Sequence, residues 1–164
     1  MRKTRNRHRR ALTALASLLC LLLSACGTAA GPEPSAAPAI PKETDTEEIT
    51  MKLFINETEV PVTWEQNDSV AALQAIAGGD GLTVSMSMYG GFEQVGSLGQ
   101  RLPRSDRQTT TDAGDIVLYS GDQIVVFYGS NSWAYTRLGR VELSRAEMTN
   151  LLANGDVTLR ITEG

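Results

Sequence analysis

The chain has 164 residues, with 15 Lys and Arg against 19 Asp and Glu, a net charge of −4, two cysteines and one histidine. Six of the basic residues fall within the first ten positions, and without them nine bases face 19 acids, a net of −10. An acidic remainder argues against nucleic acid and anionic lipid headgroups as partners, because both are bound through Lys and Arg that neutralise phosphate.

Met1 to Arg10 is a basic segment without an acid, Ala11 to Leu23 is apolar, and Ser24-Ala25-Cys26-Gly27 is a run of small residues. Basic, apolar and small residues in that order predict a secretory signal peptide over 1–25. The apolar run is shorter than the ~20 residues needed to cross the hydrocarbon core as a helix. Leu23-Ser24-Ala25-Cys26 resembles the lipobox of bacterial lipoproteins, in which the cysteine is acylated and becomes the first residue. The alternative is an ordinary signal cleaved near Ala25, which would leave Cys26 as a lone thiol in an oxidising compartment. The lipobox reading implies a palmitate-type anchor on Cys26 and a lipid-anchored protein on the extracytoplasmic face of the cell membrane. Cys20 and His8 leave with the signal. The mature chain is therefore expected to hold no histidine and no free thiol. That excludes Ser-His and Cys-His nucleophiles and histidine zinc sites, and no metal or cofactor is expected.

From Cys26 to residue 48 the chain is rich in Pro, Ala and acidic residues, too poor in apolar surface to offset chain entropy, and is expected to be a disordered tether. Residues 49–164 suit one domain. Met51, Leu53 and Ile55 alternate with Lys52, Phe54 and Asn56, and Val60, Val62 and Trp64 alternate with Glu59, Pro61, Thr63 and Glu65. The polar Asn56-Glu57-Thr58 between them predicts a hairpin. A helix follows from an N-cap at Asn67 or Asp68, with Val70, Leu73 and Ala77 on one face and a stop at Gly78-Gly79.

Val84, Met86 and Met88 then alternate with serines, and two apolar runs, Ile116–Tyr119 and Ile124–Tyr128, flank Ser120-Gly121-Asp122 as a second hairpin. Tyr135–Leu143 reads as a further strand. Ser144 and Glu147 form a capping box for a second helix, with Leu143 and Met148 at the staple positions and Met148, Leu151 and Leu152 as its buried stripe. Gly155 follows its end, and Val157–Ile161 closes the set. The fold class predicted is mainly β: a closed barrel of about eight strands capped by two α-helices. Closure would also remove exposed sheet edges.

Asp112-Ala113-Gly114-Asp115-Ile116, Gln123 to Gly129, Trp133, Leu138-Gly139-Arg140-Val141 and the second helix resemble the C-terminal half of a cyclophilin. With Gly90-Gly91-Phe92 and Gly99-Gln100-Arg101-Leu102-Pro103, the pattern is most similar to divergent bacterial cyclophilin-like domains, over nearly all of 50–162. Cyclophilins are prolyl isomerases whose groove uses an arginine, a phenylalanine, two glutamines, a tryptophan and a histidine. The resemblance implies ligand-binding roles for Phe92, Gln123 and Trp133, and a looser one for Gln94. The arginine position, five before Phe92, is Ser87, and the histidine is missing. Isomerisation must overcome a barrier of ~18–20 kcal/mol from amide resonance. A guanidinium donating to the prolyl nitrogen weakens that resonance, whereas a serine hydroxyl is a poor substitute. Arg101 or Arg104 could reach in from the loop Gly96–Arg107.

Tyr89, Phe92, Tyr119, Phe127, Tyr128, Trp133 and Tyr135 suggest a ring-lined groove or, equally, barrel packing that claims Phe127 first. Trp133, placed in the turn after Gly129, fits either role. The arginine-rich loop suits a carboxylate ligand or local ion pairs to Asp106 and Asp112. Asp112 and Asp115 lack the oxygen spacing of a calcium loop, and Gly78-Gly79-Asp80-Gly81 lacks the Lys-Ser/Thr of a phosphate loop. The reading is a membrane-tethered domain binding a peptide or small-molecule ligand without catalysis. Its alternatives are a prolyl isomerase for exported proteins and a non-enzymatic envelope adaptor.

Overall fold

The computed structural model describes residues 50–164; the expected signal peptide, Cys26 and the expected tether lie outside the described residues. In chain order the elements are β1 (Met51–Ile55), β2 (Thr58–Val60), β3 (Val62–Trp64), α1 (Asp68–Ala77), β4 (Leu82–Tyr89), β5 (Glu93–Ser97) and β6 (Arg107–Thr110). Then come β7 (Asp115–Tyr119), β8 (Gln123–Phe127), β9 (Ser132–Val141), α2 (Arg145–Leu152) and β10 (Val157–Glu163). Nine strands follow the order β2-β1-β10-β4-β5-β8-β7-β9-β3, and β6 pairs with β9 outside that path. Neighbouring strands are antiparallel throughout.

A single residue, Pro61, separates the two strands at the ends of this path. Val60 closes β2 against β1, and Val62 opens β3 against Val141 of β9. Proline has no N–H to give a ladder, so the alternating segment Val60–Trp64, expected as one strand, breaks there and changes sheet edge. The Pro61 carbonyl still accepts from Glu142 N at 2.8 Å, and Trp64 Nε1 donates to Met51 O at 2.9 Å, bringing the ends together. The sheet thus curls into a nearly closed barrel.

Ten strands replace the eight or so expected, because β5 and β6 carry little apolar signal. β5 buries Glu93, Gln94 and Gly96. An added Cβ on Gly96 would lie 2.5 Å from Met86 Sδ and Val84 Cγ1, so glycine lets β4 and β5 pack closely there. β6 is polar and is held by pairing Thr109 with Trp133 and Arg107 with Tyr135. Trp133 is accordingly the second residue of β9, not part of a turn.

The main core joins Leu53, Ile55, Val84, Met86, Ile116, Leu118, Ile124, Val126, Leu138, Leu159 and Ile161 to helix residues Val70, Leu73, Ala77, Met148 and Leu152. The alternate residues Val117, Val125 and Phe127 pack with Tyr135 in a second cluster on the other face of the same strands. β7 and β8 are therefore buried on both faces, which is why their sequences are continuous apolar runs.

Both helices start as their local sequences require. The Asn67 side chain accepts from Val70 N at 3.0 Å and fixes the N-cap of α1. In α2, Ser144 Oγ accepts from Glu147 N at 3.3 Å while Ser144 N donates to Glu147 Oε2 at 2.8 Å. These bonds favour the ionised carboxylate, holding Glu147 below the usual range. The loop before β6 is anchored by buried Leu98 and Leu102. Arg104 pairs with Asp106 at 3.4 Å as expected, but Asp112 pairs with Arg145 of α2, a partner distant in sequence.

Removal of the Ser144 hydroxyl in Ser144→Ala should cost ~0.5–2 kcal/mol, by orphaning an amide in the first turn. Urea melts read this directly. An unchanged midpoint would mean that Met148 and Leu152 hold the helix without its cap.

Candidate functional site

Period-2 alternation places one set of side chains on the outer face of the barrel wall. Glu93 and Val95 of β5 face outward beside Val125 and Gln123 of β8, since Val95 pairs with Val125 and Gln123 pairs with Tyr119 of β7. Tyr89 lies opposite Glu93 on β4. Asn131, Trp133 and Tyr135 come from β9 and the turn before it. Together these residues line a cavity of about 400 Å3.

The floor is rigid. Tyr135 meets Tyr119 edge-on at 6.0 Å between ring centroids and Phe127 at 5.8 Å. Its hydroxyl accepts from Asn131 Nδ2 at 3.0 Å. Burial raises the Tyr135 phenol above its usual range, and the neighbouring Glu93 charge adds to that. The rim is open: Trp133 is 57% exposed and Tyr89 more so.

Glu93 stands out chemically. It is only 6% exposed, and its Oε2 is buried without a hydrogen-bond partner among the described residues. Burial pushes its carboxyl up to about 7, because the charged form loses hydration that nothing replaces. Asp115, equally buried, is the contrast. It accepts from Arg137 Nη2 at 2.8 Å and Arg140 Nη1 at 2.9 Å, and its second oxygen accepts from Asp112 N at 2.9 Å. Asp115 belongs to an internal ion-pair network, whereas Glu93 is poised toward the cavity.

Of the residues expected to bind ligand, Gln123 and Trp133 share this lining. Phe92 does not. It lies half-buried beside the floor, its ring parallel to Phe127 at 6.5 Å, and its carbonyl accepts from Tyr128 N at 3.0 Å and Gly129 N at 2.9 Å. A Cβ on Gly129 would meet Phe92 Cβ at 2.6 Å, so this close approach requires glycine.

Gln94 points to the opposite face from Glu93, away from the cavity, and is fully buried. Its Nε2 donates to Leu152 O at 2.7 Å and Gly155 O at 2.8 Å, satisfying carbonyls at the end of α2. The Arg101 guanidinium donates to Ser120 O at 2.6 Å and reaches Asp122 at 3.5 Å, clamping the β7–β8 turn outside the cavity. Ser87 donates to Asp156 Oδ2 at 3.2 Å, and no arginine, lysine or histidine lines the cavity among the described residues.

Glu93 is the residue that sequence reasoning missed. Its signal was parity: it lies two residues before Val95 in a strand, so whichever face Val95 takes, Glu93 shares. Tyr89, Tyr119 and Tyr135 were visible as part of the aromatic set, but only the pairing of β4, β5, β7, β8 and β9 brings them to one cavity and leaves Phe127 and Tyr128 out of its lining.

A near-closed antiparallel barrel with two helices and an outer-face aromatic cavity defines a mainly-β barrel domain. The model of the cyclophilin-like family matches residues 53–162, and the chain belongs to that family. No curated protein and no solved structure matched it.

A carboxyl with its folded pKa near 7 and its ordinary value of 4.5 keeps in the folded state a proton that the unfolded chain has released. Stability should therefore fall as pH rises from about 4.5 to 7 and level off above, by up to about 3 kcal/mol. Glu93→Gln should abolish that slope, leaving the variant more stable than wild type at pH 8 and similar at pH 4. Denaturant melts across this range check it; parallel curves would mean that the carboxyl is solvated.

Proposed function

We propose that this protein is a lipid-anchored, extracytoplasmic cyclophilin-like domain that binds a peptide or small ligand in its outer-face cavity without catalysing isomerisation. The observation that carries this reading is the convergence of Gln123 and Trp133 with Tyr89, Tyr119 and Tyr135 on one concavity. Rings with polar edges supply apolar contact, while Gln123 and Asn131 supply orienting hydrogen bonds. Catalysis would need a donor toward the prolyl nitrogen. The family's arginine position holds Ser87, engaged with Asp156, and Arg101 is committed to the Ser120 carbonyl.

Two measurements on the purified protein test this. Titration with proline-containing and proline-free peptides and with polar aromatic fragments should shift the amide-proton resonances of Gln123 and Trp133 saturably. A protease-coupled isomerase assay should show no acceleration over the spontaneous reaction. Acceleration lost in Trp133→Ala would replace the binding reading with the isomerase one, and ligand-induced shifts confined to other faces would favour an adaptor.

The anchor is supported by the Leu23-Ser24-Ala25-Cys26 sequence after a basic and an apolar segment. Acyl chains contribute ~0.8 kcal/mol per buried methylene. Cys26→Ser should move the protein from the membrane fraction to the soluble one; retention through a carbonate wash would rule the anchor out.

A further inference from the structure

We infer that the ligand of this cavity carries an organic cation, an alkylated ammonium or a guanidinium head, which seats among the rings of Tyr119, Trp133 and Tyr135 above the Glu93 carboxylate. The inference rests on the binding reading above and specifies its chemistry.

Three observations point the same way. Glu93 is 6% exposed and its Oε2 lacks a partner among the described residues, so an ionised carboxylate there is uncompensated until something positive arrives. The cavity wall holds no positive side chain among the described residues, in contrast to Asp115, which two guanidinium groups already satisfy. Four rings, Tyr89, Tyr119, Trp133 and Tyr135, share the wall with Glu93, and those of Tyr119 and Tyr135 sit 6.0 Å apart. Aromatic faces carry negative potential and attract weakly hydrated cations, which lose little water on entering. A neutral apolar ligand would fill the same volume but leave the carboxylate charge uncompensated. An anion would meet both the carboxylate and the ring faces. A small, strongly hydrated metal ion would need more oxygen ligands than one carboxylate, and no cluster of acidic or other metal-ligating residues exists among the described residues.

The same chemistry can come from a free alkylammonium compound or from a basic side chain of a peptide, and paired probes separate the two. Full-length protein in detergent is titrated at pH 8 with choline and its uncharged carbon isostere 3,3-dimethyl-1-butanol. In parallel it is titrated with N-acetylarginine amide and its neutral isostere, N-acetylcitrulline amide. Binding is read from amide-proton shifts. At least one cation should saturate with a Kd tenfold or more below that of its isostere; which one does identifies the source. Glu93→Gln should bring cation and isostere to within twofold of each other. Trp133→Ala, whose ring is mostly exposed and leaves no buried hole, should weaken the cation at least fivefold while the fold is retained. Equal affinity for cation and isostere, or an unchanged preference in Glu93→Gln, overturns the inference and leaves the binding cavity standing. Failure of all four probes to saturate overturns it as well, and the peptide and fragment titration then decides the binding reading separately.

Discussion

The hairpin of β7 and β8 is buried on both faces, and the rest of the domain is arranged around that constraint. Ile116, Leu118, Ile124 and Val126 turn inward to the core shared with both helices, while Val117, Val125 and Phe127 turn outward beneath Tyr135. A strand wanted on both sides must be apolar at every position, and it must have something to cover its outer surface. Phe92, Val95 and Tyr135 provide that cover. The wall of the cavity is thus the back of the barrel core, and packing forces that close the barrel also fix the rings of the site. A register shift between Ile116 and Val117 where β7 meets β9 lets β9 follow the curvature and extend past the wall to carry Trp133 and Tyr135.

Two buried carboxylates show how environment, not residue type, assigns a role. Asp115 and Glu93 are both removed from water, and each would be costly to ionise in isolation. Asp115 is surrounded by Arg137, Arg140 and a backbone amide, so its charge is compensated and it ties β7 to β9. Glu93 faces phenol and indole rings and gains no donor. The domain thus accepts a destabilising group in the wall of a concavity that opens to solvent.

Membership of the cyclophilin-like family coexists here with a rebuilt surface. The family model spans residues 53–162, which hold the barrel and both of its helices. The polar groups that would act on a prolyl bond have other employment. Gln94 caps the end of α2, Arg101 clamps a turn and Ser87 binds Asp156. A common fold therefore says little about chemistry, which depends on what faces the cavity.

The amino-acid sequence by itself determined the features that depend on near neighbours. The capping box of Ser144 and Glu147, the cap at Asn67 and the hairpin at Asn56 and Glu57 each involve groups within a few residues, so their hydrogen bonds can be read along the chain. The strands of β7 and β8 were legible because burial on both faces leaves an unbroken apolar run. The aromatic character of the cavity wall was visible too, and Gln123 and Trp133 line that cavity. Only tertiary structure decided the rest. Pro61 divides an alternating segment because the two edges of the sheet meet there, and the polar strands β5 and β6 exist because β4, β8 and β9 pair with them. Glu93 and Gln94 are adjacent and both polar, yet pleating sends one toward the cavity and the other toward α2. Gln94 Nε2 meets two carbonyls up to 61 residues away, whereas Gln94 Oε1 and Glu93 Oε2 are both left without a partner among the described residues. Desolvation and hydrogen bonding act through space, and sequence proximity carries no record of them.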